Sequence, residues 1–94
     1  MVIGALEVRI SIPGAGSLKE KRKVLKSLKD RLSRMNISVA EVDDQDKWQA
    51  ATLGVAVVSN DAGYVNSSLD RITRYLSEQP DVELINQSAE IIHL

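Results

Sequence analysis

Two short stretches of opposite charge hold most of the side chains capable of chemistry. Ser17-Leu18-Lys19-Glu20-Lys21-Arg22-Lys23 opens a run reaching Met35 that contains eight of the chain's twelve basic residues. Glu41 to Trp48 supplies the acidic counterpart through Glu41, Asp43, Asp44 and Asp46. Clustered ammonium and guanidinium groups bind phosphate, and Lys19, Arg22, Lys23, Lys26 and Lys29 are the candidate nucleic-acid contacts. Such contacts position a backbone without reading its bases. The four carboxylates have the oxygen donors that magnesium or calcium prefers. Their loop lacks the glycine and the terminal glutamate of a calcium loop, so a solvated loop that neutralises the basic run is the better reading, and no metal site is assigned. The sole histidine, His93, stands alone, and the serines follow no nucleophile-elbow pattern. With no cysteine, thiolate metal sites, disulfides and cysteine nucleophiles drop out. No catalytic residue and no cofactor is assigned; the chain is expected not to be an enzyme.

The 94 residues suit a single domain, 1–94, with one core. A net charge of −1 argues against a generally basic nucleic-acid binder, so the distribution carries the information. Residues 17–35 hold eight positive and two negative side chains, a net +6; the remainder holds four and eleven, a net −7. No positively charged leader precedes an apolar run, and no apolar stretch approaches the ~20 residues that span a bilayer. The expectation is a soluble, cytoplasmic protein without membrane contact.

A helix over 17–35 positions the cations. Ser17 followed three residues later by Glu20 is a capping box, each side chain satisfying a backbone N–H at the helix start. Leu18, Leu25, Leu28, Leu32 and Met35 fall at helical spacing, with Val24 beside them, and cover roughly a third of the circumference. Asn36 tolerates the left-handed turn that ends a helix. Lys19, Arg22, Lys23, Lys26, Lys29 and Arg34 lie on the opposite arc, interrupted by Asp30. Lys21 is the exception and projects from the middle of the apolar arc. A helix N-terminus is partially positive, so each cation there costs about 0.3–1 kcal/mol at low salt. Either carboxylates nearby offset this, or an anion docks there.

The other elements follow from their periods. Val2, Leu6, Val8, Ile10 and Ile12 alternate with Ile3, Ala5, Glu7, Arg9 and Ser11, the period of two of a half-buried strand. Pro13-Gly14-Ala15-Gly16 is a turn. A third dinucleotide-loop glycine would fall at Lys19, and no Gly-Lys-Ser/Thr follows, so neither nucleotide motif is met. Ile37 to Asp43 predicts an edge or bulged strand, with Ile37 and Val39 on one face and Ala40 and Val42 on the other. Leu53 to Ser59 is the apolar run of a central strand. Asn60-Asp61 begins a second amphipathic helix through Val65, Leu69, Ile72 and Leu76, ended before Pro80. Val82 to Leu94 closes as a strand.

The order βαββαβ is the ferredoxin-like α+β sandwich, with antiparallel sheet order 4-1-3-2 and both helices on one face. This topology places the start of helix 17–35 beside the 43–50 connection. Ion pairs are therefore expected between Lys19, Lys21, Arg22 and Lys23 and the carboxylates Glu41, Asp43, Asp44 and Asp46, each exposed pair contributing ~0–1 kcal/mol. Trp48 is expected as a partly buried anchor for that loop.

Ser17-Leu18-Lys19-Glu20-Lys21-Arg22, Glu41-Val42-Asp43-x-Gln45-Asp46-x-Trp48-Gln49-x-Ala51-Thr52-Leu53-Gly54-Val55 and Val58-Ser59-Asn60-Asp61 together resemble the YlxP-like family of small bacterial proteins. The resemblance runs over essentially the whole chain and implies a ferredoxin-like fold. Genes of that family often lie beside those for translation initiation and ribosome-binding factors, so the resemblance also implies a link to translation or ribosome assembly. No catalytic or ligand residue is established for the family, and none carries over. Where the family often has an aromatic residue before the second strand, this chain has Met35.

The sheet face away from the helices should display Ile3, Ala5, Glu7 and Arg9 with Thr52, Gly54, Ala56 and Val58. An RNA-reading sheet of this architecture displays aromatics that stack bases. None is present here, since Tyr64 and Tyr75 belong to the second helix. Small and aliphatic residues with one acid–base pair suit self-association, with Ile3, Ala5, Glu7 and Arg9 as a homodimer interface about a two-fold axis. The function expected is a translation-linked or ribosome-assembly-linked protein whose basic helix meets RNA phosphates, with ribosomal RNA or the ribosome as partner. The alternatives are a regulatory small-molecule module of amino-acid-sensing type, using the turn at Pro13-Gly14, and a protein–protein adaptor acting through the basic helix or the open sheet.

Overall fold

The alternation begun at Val2 runs unbroken through β1 (Val2–Ser11), which therefore buries Val2, Leu6, Val8 and Ile10 on one face. The computed structural model describes residues 1–94. After β1 come α1 (Leu18–Ser33), β2 (Ser38–Asp43), β3 (Ala50–Ser59), α2 (Ala62–Ser77) and β4 (Glu83–His93). The strands form one antiparallel sheet in the order β2-β3-β1-β4, the same ordering as 4-1-3-2 read from the other edge. Inward residues of β1 and β3 join Leu25, Leu28 and Leu32 of α1 and Val65, Leu69, Ile72 and Leu76 of α2 in a single core, so both helices cover one sheet face.

The caps set where the helices begin and end. Ser17 has an extended backbone and its hydroxyl accepts from the Glu20 N–H at 3.1 Å. The reciprocal bond falls one residue earlier than a capping box predicts: Glu20 Oε2 accepts from Gly16 N–H at 2.7 Å. Asn36 takes the left-handed conformation, φ 61°, and turns the chain into β2. Asp61 caps α2 through the Gly63 N–H at 2.9 Å. Gly4 lets α2 sit close on the sheet, because a β-carbon there would collide with Val65 and crowd Val57 and Leu69.

Two bulges interrupt the edge strands at the same level of the sheet. Glu41 lies opposite Leu53 and Asp43 opposite Thr52, so Val42 is the extra residue of β2, folded over Gly54. On the other edge Asn86 faces Arg9 and Leu84 faces Ile10, which leaves Ile85 as the extra residue of β4. A bulge bends and twists its strand and re-aims side chains. Here the bulges bracket one row across the open face, Asp43-Thr52-Arg9-Asn86.

Candidate functional site

The polar arc of α1 presents its cations to water. Lys19, Arg22, Lys23 and Lys26 are exposed and Lys29 is half-buried. None of the five takes part in an ion pair; the three ion pairs in the molecule are Arg9–Asp44, Lys21–Glu41 and Lys47–Asp44. The expected neutralisation of the helix start thus occurs at Lys21 alone. Asp43 instead accepts the Asp44 N–H at 2.8 Å, and Asp46 is exposed. The reason is geometric. Lys21 lies on the apolar arc and points at the sheet, whereas Lys19, Arg22 and Lys23 point away from the hairpin that carries the carboxylates.

Lys21 is 1% exposed, a buried ammonium. Its Nζ lies 2.9 Å from Glu41 Oε2 and donates to the Asp44 carbonyl at 2.7 Å. Glu41 is on the core side of β2, opposite Leu53, and Oε2 has no partner besides that ammonium. Burial of either charge without the other would be costly, so each explains the other. Asp44 is the hub beyond this pair. Its φ is 63°, a left-handed conformation in which aspartate is among the few tolerated side chains. Its carboxylate accepts from the Thr52 hydroxyl at 2.7 Å and lies 3.1 Å from Lys47 Nζ and 3.4 Å from Arg9 Nε. The Thr52 hydrogen bond, then Lys47, then Arg9, hold the carboxyl below the usual carboxylate range, against a smaller upward push from burial.

The loop after Asp44 is fixed at both ends to the entry of α1. Gln49 donates its side-chain amide to the carbonyls of Pro13 and Ala15, at 3.3 and 3.1 Å, and its own carbonyl accepts from Ile12 N–H at 2.9 Å. Trp48 lies between these ties and is 54% exposed. The expectation that Trp48 anchors the loop is corrected: Gln49 and Lys21 do the anchoring through polar contacts, which frees the indole for solvent. No period in the sequence marks this, because a loop residue has no pattern from which to read its orientation.

The open sheet face is as expected in composition. Ile3 and Ala5 are half-buried, Glu7 and Arg9 are exposed, and Val58 is 59% exposed. A shallow groove of about 550 Å³ runs across it, floored by Ala5, Ala40, Gly54 and Ala56. Arg9 already has Asp44 as a partner, so a Glu7 from a second copy would have to share that guanidinium.

Comparison with known proteins agrees with this architecture. The model of the family described as "Protein of unknown function (DUF503)" matches residues 3–89. The chain belongs to the DUF503 family. It is 37% identical over 83 residues to the uncharacterized protein YlxP of Bacillus subtilis (strain 168), covering 87% of this chain and 90% of that one. Among solved structures, the de novo designed protein LFR1 1, with a ferredoxin fold, superposes with a TM-score of 0.57 at 17% identity, covering 96% of this chain and 86% of the design. The designed protein Foldit4 gives 0.52 at 14% identity over 96% and 93%. At such identities the likeness is one of fold alone.

The acidic residues of this DUF503 chain are separated by the bulge rather than gathered. Glu41 points into the core side, while the Asp44 carboxylate meets Arg9, Lys47 and Thr52 near the open face. No group of three carboxylate or imidazole side chains is arranged to hold a metal ion. No helix is long and apolar enough to cross a membrane.

Proposed function

We propose that this DUF503 protein is a non-enzymatic binding protein of translation or ribosome assembly that contacts RNA phosphates through α1. The observation that carries the reading is that Lys19, Arg22, Lys23 and Lys26 are exposed and without ion pairs on one side of α1, with Lys19 in the first turn, where the helix dipole disfavours a cation. None of the four forms an ion pair within its own molecule, although thirteen acidic residues are present. A phosphate backbone supplies the missing negative charge and releases counterions on binding. The link to translation rests on the gene neighbourhood implied by the YlxP-like resemblance, with ribosomal RNA or the ribosome as the partner.

Co-sedimentation with ribosomal subunits across a salt series tests this. Engagement of four to five phosphates on single strands predicts a slope of log K against log salt of roughly −3 to −4. Changing Lys19, Arg22, Lys23 and Lys26 together to alanine should abolish retention at moderate salt. Equal retention of both proteins would remove α1 from the function.

One observation favours a second reading. A cavity of about 360 Å³ opens at the Pro13-Gly14 turn, between Ala15, Lys23 and Val24 on one side and Pro80 and Asp81 on the other. A regulatory small-molecule module would use this site, and stabilisation by a metabolite in a protein without RNA affinity would select it over the first reading.

A further inference from the structure

We infer that the polar cavity at the bulge level of the open sheet face binds a small zwitterion, an α-amino acid with a polar side chain, whose carboxylate meets Arg9 and Lys47 and whose ammonium meets Glu7. The inference is independent of the phosphate contacts on α1 and concerns the other layer of the molecule.

The cavity measures about 250 Å³, and none of the nine residues in its wall is hydrophobic. Every strand contributes to it through the row Asp43-Thr52-Arg9-Asn86, and the β2–β3 loop adds Asp44 and Lys47. The row is framed by two bulges and by the left-handed backbone of Asp44. Such departures from regular structure concentrate where side chains are aimed at a ligand.

The charges are arranged in an unusual way. The side chain of Asp44 is 11% exposed, whereas Arg9 and Lys47, one on each of its carboxylate oxygens, are 47% and 55% exposed. Asp44 is thus taken up in holding two cations side by side, and the cations keep the outward positions. Arg9 meets Asp44 through Nε, so the terminal amino groups of its guanidinium stay available for a planar carboxylate. Glu7 stands two residues from Arg9 on the same face of β1, about 7 Å along the strand, and both line the cavity. They form no ion pair with each other, because Arg9 is engaged by Asp44. Opposite charges therefore face one cavity without neutralising one another, and a ligand carrying both signs satisfies both. With three carboxylates and two cations in the wall, the net −1 disfavours a phosphate or any simple anion. A ligand of positive charge alone would leave Arg9 and Lys47 unanswered. The polar wall offers nothing to an aliphatic side chain, and a volume just below the ~300–1,000 Å³ of drug-sized sites keeps the ligand small.

Isothermal titration calorimetry with L-serine, L-asparagine and L-glutamine tests this on the intact protein, kept dilute because a second copy would meet the same Glu7 and Arg9. At least one of the three should bind. Lactate lacks the ammonium, ethanolamine the carboxylate and L-leucine the polar side chain, so each should bind about tenfold more weakly or worse. Glu7→Gln and Arg9→Gln should each weaken binding about 10- to 150-fold. Glu7 has no ion pair to lose, so Glu7→Gln should keep the wild-type urea midpoint, which separates lost binding from lost folding. Backbone-amide NMR shifts on titration should appear at Arg9, Thr52 and Asn86. No binding by any of the three amino acids, equal binding of any control, or undiminished affinity in Glu7→Gln overturns the inference. Shifts confined to Gly14, Ala15 and Asp81 would also overturn it, and would move the ligand to the cavity at the Pro13-Gly14 turn.

Discussion

Asp44 gathers more of the molecule than its place in a loop would indicate. Its carboxylate meets β1 through Arg9, β3 through Thr52 and its own turn through Lys47, and its carbonyl meets α1 through Lys21. Because the folded state lowers its pKa, the ionised form contributes stability that is fully present above the ordinary carboxylate pKa of about 3.9. That contribution is lost as pH falls through the lower folded value. Asp44→Asn should therefore lower the urea midpoint at pH 7, and the gap to wild type should close as both proteins are acidified below pH ~4. A gap independent of pH would show that the amide loses packing and not charge. Nothing in the spacing of acidic residues separates Asp44 from Asp43 or Asp46; its role depends on a left-handed φ and a bulge one residue pair away.

Between elements, the tie that matters is α1 to the β2–β3 hairpin. Lys21 was legible as an oddity, a cation in an apolar stripe, while its partner was not. Glu41 reaches it only because β2 puts that side chain on the core side before Val42 bulges. Lys21→Met should destabilise by about 3 kcal/mol, near the low end for breaking a buried pair because Glu41 retains some water. The double change Lys21→Met with Glu41→Leu should restore more than half of that, since no uncompensated charge remains. Urea unfolding of the three proteins decides it. A double variant no more stable than the single one would mean that the Asp44 carbonyl bond, and not the ion pair, holds the hairpin. The elements themselves were readable to within a few residues: β2 starts at Ser38 instead of Ile37, α1 ends at Ser33 with Asn36 left-handed behind it, and β3 starts at Ala50, three residues before the expected Leu53.

For the molecule as a whole, the two layers leave one sheet face uncovered, with Val42, Ala56 and Val58 exposed on it beside the half-buried Ile3 and Ala5. Exposed apolar area of this kind favours self-association, and a two-fold pairing across Ile3, Ala5, Glu7 and Arg9 is the homodimer proposed for it. Sedimentation velocity over a concentration series should show a monomer–dimer equilibrium, and Ala56→Arg, at an exposed position, should give a folded monomer. A wild-type monomer at every concentration would reassign the face. The cation-rich helix lies on the opposite layer, so these variants would separate the proposed RNA contact from the proposed dimer contact.

The amino-acid sequence alone determined the element order, the faces of the first three strands, the apolar stripes of both helices, the sheet order and the exposed cationic arc. Those follow from periods of two and 3.6 and from caps a few residues long, which are local properties of the backbone. It did not determine that Lys21 alone among the helix-start cations meets a carboxylate, that Asp44 becomes a hub, or that Trp48 faces water. Each of these depends on contacts between residues far apart in the chain, and a one-residue bulge is enough to exchange which side chains meet. Only the tertiary structure, by setting register and packing at the hairpin end, decided them.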